Sequence, residues 1–223
     1  MDQILKSIQK NNYIYDVKDE KYWNNKDFVL ECVKTDSMSF INASEELKNN
    51  REFIIEATKK MGRISPHTPS KFRDDEKFMI EAVKINGRFL CFASKDLRNN
   101  KKIVLEAVEN DGCSLYYASN ELKIDEDIVL EAVKNDDKSL YYAHKFLLDD
   151  KEFIMKAIKN SGKSLRYASI KLQNDKKLII MALKNIHILN YNKLKLNKNK
   201  ICEKIFYDDF YGFLSYHEIL EFL

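Results

Sequence analysis

A strict 25-residue self-similarity governs what this chain can fold into. From Lys26 to Asp175 the sequence falls into register without a gap. KKIVLEAVENDGCSLYYASNELKID (101–125) is followed by EDIVLEAVKNDDKSLYYAHKFLLDD (126–150) and KEFIMKAIKNSGKSLRYASIKLQND (151–175). Earlier copies begin at Lys26, Arg51 and Glu76, and a degenerate copy at Lys176 keeps only the first half. Such a period marks an architecture in which each unit buries its apolar face only by stacking on neighbours. Numbering the slots of each copy from one, with Lys26 in slot one, turns each recurrent residue type into a physical requirement.

Slot seven holds Cys32, Ala57, Ala82, Ala107, Ala132, Ala157 and Ala182, small residues where two helices must approach closely. Slots three to five and eight are aliphatic or Phe, which predicts a first helix of about three turns with a very broad apolar face. Charges fill slots two, six and nine. The glutamates Glu31, Glu56, Glu81, Glu106 and Glu131 suggest paired acids or a metal row, but slot nine answers with Lys34, Lys59, Lys84, Lys134 and Lys159. Glu–Lys pairing inside each helix is the expectation. Slot twelve carries Gly62, Gly87, Gly112 and Gly162, read as left-handed helix C-caps. Ser114, Ser139 and Ser164 are placed to open a second helix of about two turns, with Leu115, Ala118 and Leu122 inward. The pairs Asn49–Asn50, Asp74–Asp75, Asn99–Asn100, Asp149–Asp150 and Asn174–Asp175 are placed to cap the next first helix. In 51–75, Pro66, His67 and Pro69 replace the Tyr-Tyr-Ala-Ser stretch, so that second helix should be broken or bent.

The predicted fold is all-α, an α-solenoid of about seven to eight such repeats with terminal caps. Residues 1–25 read as a degenerate N-terminal cap repeat, 26–175 as six regular repeats, and 176–200 as a degenerate seventh. Residues 201–223 (ICEKIFYDDFYGFLSYHEILEFL) read as an aromatic, acidic cap over the last repeat, or alternatively as a docking peptide or dimer contact. With only five Gly and two Pro, the chain has little material for the tight turns of a β fold.

The recurring pattern V-L-E-A-V-K-N-x-G-x-x-L-x-Y-A-S-x-x-L-x-x-D resembles a bacterial two-helix repeat family described only as a domain of unknown function. The resemblance covers roughly 26–175 and is weakest in 51–75. It implies helical repeats and a role in host or partner interaction, as in effector-like proteins of AT-rich and host-associated bacteria. It implies no activity, cofactor or catalytic residue.

The chain's own residues point the same way. The four cysteines (Cys32, Cys91, Cys113, Cys202) show no C-x-x-C pair, and the four histidines (His67, His144, His187, His217) lie far apart. Glycine-rich phosphate loops, nucleophile elbows and H-E-x-x-H are absent. A Cys–His nucleophile pair remains the one catalytic alternative, against which Cys32 fills a buried slot where an inert thiol is expected. The expectation is therefore no enzyme, no cofactor and no metal. The N-terminus lacks the apolar core of a secretory signal and no apolar run reaches membrane length, which predicts a cytoplasmic protein, or one delivered to another cell without a Sec signal.

Two surface features bear on partners. Phe92, Tyr116, Tyr117, Tyr141, Tyr142 and Tyr167, with Arg166, occupy adjacent slots of the second helices. On an α-helical wheel the second of each pair faces away from the Leu/Ala side, where it serves either as an interface anchor or as a ring stacked between repeats. Charge is also uneven. Residues 101–150 hold six basic and twelve acidic residues, 151–200 thirteen and two, and 201–223 one and five. A protein partner on the aromatic face is the leading reading. Nucleic acid gripped by Lys184, Tyr191, Lys193, Lys195, Lys198 and Lys200 is the alternative.

Overall fold

The computed structural model describes residues 20–194, with side chains through Ile186. Residues 1–19 of the expected N-terminal cap, and the whole 201–223 segment, lie outside the described residues. Every regular element among the described residues is helical. The chain forms two compact units, one up to Ser119 and one from Asn120. The first contains α1 (Lys26–Thr35), α2 (Arg51–Met61), α3 (Glu76–Ile85) and α4 (Lys101–Asn110). The second contains α5 (Glu126–Asn135), α6 (Lys151–Asn160) and α7 (Lys176–Leu194). Within each unit successive long helices pack on one another.

Each long helix starts where an Asx side chain can satisfy an orphan amide. Asn25, Asn50, Asp75 and Asp150 accept from the N–H of Phe28, Phe53, Phe78 and Phe153, each at 2.9 Å. Asn100, Asp125 and Asp175 do the same for Ile103, Ile128 and Leu178. Such caps are typically worth about 1 kcal/mol each. The slot-seven residues, Cys32 through Ala182, are completely buried, as their size requires. Slot five is graded instead. Leu30 and Ile55 are buried, Ile80, Leu105, Leu130 and Ile180 are half-buried, and Met155 is exposed.

The helix ends correct the sequence reading. Of the slot-twelve glycines only Gly62 is left-handed, at φ +66°, where it closes α2. Elsewhere the long helix stops because slot eleven (Asp36, Asn86, Asp111, Asp136, Ser161) turns extended while its N–H bonds back to the slot-seven carbonyl. The Asp36, Asn86, Asp111 and Asp136 side chains then accept from the slot-thirteen N–H at 2.9–3.0 Å. That Asx turn launches a 3-10 helix: Ser37–Asn42, Gly87–Phe92, Gly112–Tyr117, Asp137–Tyr142 or Gly162–Tyr167. The serines expected as caps sit inside these helices, fully buried. Ser39 Oγ donates to the Asp36 carbonyl at 2.7 Å and Ser164 Oγ to the Ala157 carbonyl at 3.2 Å.

The buried glycines serve close approach rather than backbone conformation. A β-carbon at Gly162 would come within 2.5 Å of the Ala182 carbonyl oxygen and 2.7 Å of Ile186 Cγ1. The glycine of one repeat and the small slot-seven residue of the next are thus two halves of one contact.

After the 3-10 helix an extended alanine (Ala43, Ala93, Ala118, Ala143 or Ala168) breaks the run, and a short helical turn follows. Here the chain is stapled to the repeat before it. The N–H of Ser44, Ser94, Ser119, His144 and Ser169 donates to the carbonyl of Trp23, Arg73, Arg98, Lys123 and Leu148, at 2.8–3.0 Å. Pro69 occupies that slot in 51–75 and has no N–H to give. As expected, this repeat lacks the regular 3-10 helix and forms only a short one at Ser70–Arg73.

The glutamate ladder is paired mostly between repeats, not within helices. Lys26 meets Glu56 at 2.7 Å, Lys60 meets Glu31 at 3.4 Å and Lys84 meets Glu106 at 3.6 Å, and outside the ladder Lys156 meets Glu126 at 2.7 Å. Lys134–Glu131 is an intrahelical pair of the expected kind. These contacts are solvated, and water and salt screen exposed pairs of this kind so that each contributes little.

Candidate interaction face

The 3-10 geometry decides which side chains face outward. At three residues per turn, slots twelve, fifteen and eighteen share one side of the helix. Gly112, Leu115 and Ala118 fill that side and are buried, as are Gly162, Leu165 and Ala168. Slot seventeen falls on the side of the buried slot-fourteen serine and is half-buried: Phe92, Tyr117, Tyr142 and Tyr167. Slot sixteen faces out. The expectation that the second residue of each pair is the outward one is therefore wrong. It assumed 100° per residue, and the helix turns by about 120°.

In the first unit the Gly87–Phe92 and Gly112–Tyr117 helices pack side by side, and slot sixteen presents Cys91 and Tyr116, the latter 57% exposed. In the second unit Asp137–Tyr142 packs beside Gly162–Tyr167, presenting Tyr141, 77% exposed, and Arg166. The slot-seventeen ring supports its neighbour. Tyr116 meets Tyr117 edge-on with ring centroids 5.0 Å apart, and Tyr141 meets Tyr142 likewise at 5.5 Å. The Arg166 guanidinium lies 5.2 Å over the Tyr167 ring. Tyr116, Tyr141 and Arg166 are each held by the half-buried ring next to them, which limits the rotamer freedom a partner would have to freeze.

The short turns add apolar residues that sequence reasoning passed over. Phe146 is 66% and Ile170 78% exposed. His144 caps the Lys145–Leu148 turn, with Nδ1 accepting from the Phe146 N–H at 3.3 Å, and its ring lies 4.7 Å from Phe146. The signal for both was departure from the pattern, since other copies place polar residues there: Glu46 and Glu121 against Phe146, Glu45 and Lys95 against Ile170. Lys138, Lys145 and Lys171 are exposed on the same elements, so the second unit offers aromatic and aliphatic anchors among cations.

The alternative nucleic-acid residues are only partly placed. Lys184 is exposed on α7, whereas the side chains of Tyr191 and Lys193, and residues Lys195, Lys198 and Lys200, lie outside the described residues. Burial, helped by the Glu31 charge, pushes the Cys32 thiol up to about 12. Burial also raises Cys91. Among the described residues no three His, Cys, Asp or Glu side chains form a metal-binding group, and no helix is long and apolar enough to cross a membrane.

A family model described as a domain of unknown function (DUF4116) matches residues 1–48, 25–73, 50–98, 75–123, 100–148, 125–171 and 150–196. Successive matches start 24 or 25 residues apart and each spans about two repeats. No curated protein and no solved structure matches the chain.

Proposed function

The chain belongs to the family described as a domain of unknown function (DUF4116), and from that premise, which brings no activity with it, we propose that it is a non-enzymatic scaffold that binds another protein. The contact surface is the edge formed by the 3-10 helices and short turns of the second unit, with Tyr141, Phe146 and Ile170 as anchors; the first unit presents Tyr116 on its own 3-10 edge. The observation that carries this reading is exposure without a packing purpose. Slot-seventeen rings already complete the packing, yet slot sixteen keeps two further tyrosines in solvent. Exposed aromatic side chains are what protein interfaces enrich. The resemblance to a repeat family of host-associated bacteria supports a bacterial, effector-like setting, in the cytoplasm or in a host cell.

The test is affinity capture with the full chain against the Tyr141→Ala/Phe146→Ala/Ile170→Ala variant, each split into nuclease-treated and untreated halves. A protein partner should survive nuclease and moderate salt and be lost with the triple variant. Capture unaffected by those substitutions would overturn the assignment of the face.

A second reading rests on Lys171, Lys176, Lys177 and Lys184, exposed cations in the second unit. If they grip phosphates, affinity for nucleic acid must fall steeply with salt, because each contact releases a counterion. Lys176→Glu/Lys177→Glu/Lys184→Glu should then abolish binding while the Tyr141 variant leaves it intact.

A further inference from the structure

The seventh long helix does not end like the others. Its slots eleven and twelve are Ile186 and His187, where every other long helix has a polar residue at slot eleven or a glycine at slot twelve, and it runs on to Leu194. It therefore forms no 3-10 helix of its own through that point. Among the described residues its main packing partners are α6, the Gly162–Tyr167 helix and the Ile170–Gln173 turn, all of which precede it.

The consequence appears in slot four. Val29, Ile54, Met79, Val104, Val129 and Ile154 are all completely buried there. Ile179, their equivalent in α7, is partly exposed, as are Ile180 and Met181 beside it. Slots five and six are half-buried or exposed in most other copies as well, so the departure is Ile179, left partly open on the side where a following repeat would pack, with Ile180 beside it. Lys176, Lys177 and Lys184 are exposed on the same helix.

We propose that this open side of α7 is a docking site for the chain's own 201–223 segment. Three observations select that occupant. Its chemistry is complementary: Ile205, Phe206, Phe210, Phe213 and Leu214 supply apolar groups, and one basic against five acidic residues face the α7 lysines with opposite charge. It is close enough, because seven residue steps from Leu194 to Ile201 reach about 24 Å extended, while Leu194 and Ile180 are about 21 Å apart along a helix. It is also intramolecular, so its effective concentration exceeds that of any free peptide of like affinity. Docked there, the segment stands in for the missing repeat and keeps a second copy from stacking on the open end. This site is independent of the 3-10 edge proposed for partner binding.

The experiment uses the full chain with a photo-crosslinking phenylalanine analogue in place of Ile180. Irradiation should give an adduct of monomer mass, mapping by mass spectrometry to 201–223, in a yield that does not change with protein concentration. An adduct to a second copy, an adduct elsewhere in the chain, or none would each overturn the proposal. As a second measurement, Phe210→Asp/Phe213→Asp should speed amide exchange at least tenfold in residues 176–186 and leave residues 126–135 unchanged. Unchanged exchange in 176–186 would likewise overturn it.

Discussion

A β-carbon on Gly87 would collide with the carbonyl oxygen of Ala107 and come within 2.7 Å of Ser114 Oγ, so the glycine of one repeat fits only against the backbone of the next. Gly62 is the reverse case: its φ is +66° and nothing lies within 4 Å of where a β-carbon would stand. One glycine answers a steric demand and the other a conformational one.

Asparagine separates the two demands, because it tolerates left-handed backbone better than other non-glycine residues. Gly62→Asn should cost well under about 1 kcal/mol, since Asn bears little of the left-handed penalty. Gly87→Asn should cost about 3 kcal/mol or more, beyond the usual overpacking range, because rigid backbone is what it strikes. Urea denaturation of the two variants checks this, and similar costs at both sites would refute the distinction.

Asn110 and Asn185 clamp consecutive repeats at the same junction. Asn185 Oδ1 accepts from the Gly162 N–H at 2.8 Å, and Nδ2 donates to the Lys159 carbonyl at 3.0 Å. Asn110 does the same to Gly87 and Lys84. Removing the acceptor strands a buried N–H, which costs about 1–3 kcal/mol. Asn110→Ala should therefore destabilise by that amount, Asn110→Asp by less because it keeps the acceptor, and exposed Asn120→Ala hardly at all. Thermal unfolding that ranks the three otherwise would remove the clamp from the account.

The limits of the sequence reading have physical causes in particular residues. The Asx caps at Asn25 through Asp175 and the small residues at slot seven were legible because each satisfies a local or steric demand that a period displays. The Asn110–Gly87 clamp was not, since its partners lie in different repeats. Asn at slot ten looks like any polar residue ending a helix. The candidate face was legible in composition but rotated by one residue. Tyr116–Tyr117 reads alike in an α-helix and a 3-10 helix until the Asx turn at Asp111 is seen to set the tighter winding.

Cysteine chemistry offers a check on the core. Cys32 is fully buried in α1 and held as a neutral thiol, pushed up to about 12, whereas Cys91 is exposed. At pH 8 a thiol-alkylating reagent should label Cys91 of the native protein and spare Cys32 until denaturant is added. The pH dependence follows with a definite sign. A folded-state value raised above the ordinary thiol value of 9.0 means the stabilisation is complete below pH 9 and is lost as pH climbs toward 12. Cys32→Ala should therefore lose less stability than the parent between pH 9 and 11. Parallel losses would mean the thiol ionises as readily folded as unfolded.

The tyrosine pairs put the corrected winding to its most direct test. Tyr141 keeps most of its surface in solvent and touches the Tyr142 ring edge-on, while Tyr142 is half-buried. Truncating Tyr141 forfeits that ring contact and little else, so Tyr141→Ala should cost no more than about 1 kcal/mol. Tyr142→Ala removes a ring packed on the side of the buried Ser139, and should cost about 2 kcal/mol or more, toward the range for buried aromatics. An α-helical winding predicts the opposite order, with Tyr142 outward and cheap. Tyr116 and Tyr117 repeat the comparison in the first unit, where Tyr117→Ala should again be the costlier change. Urea midpoints for the four variants decide between the windings, and the same variants then separate binding from folding. A partner lost with Tyr141→Ala while stability holds is lost at an interface, whereas one lost only with Tyr142→Ala is lost because the surface that presents it has come apart.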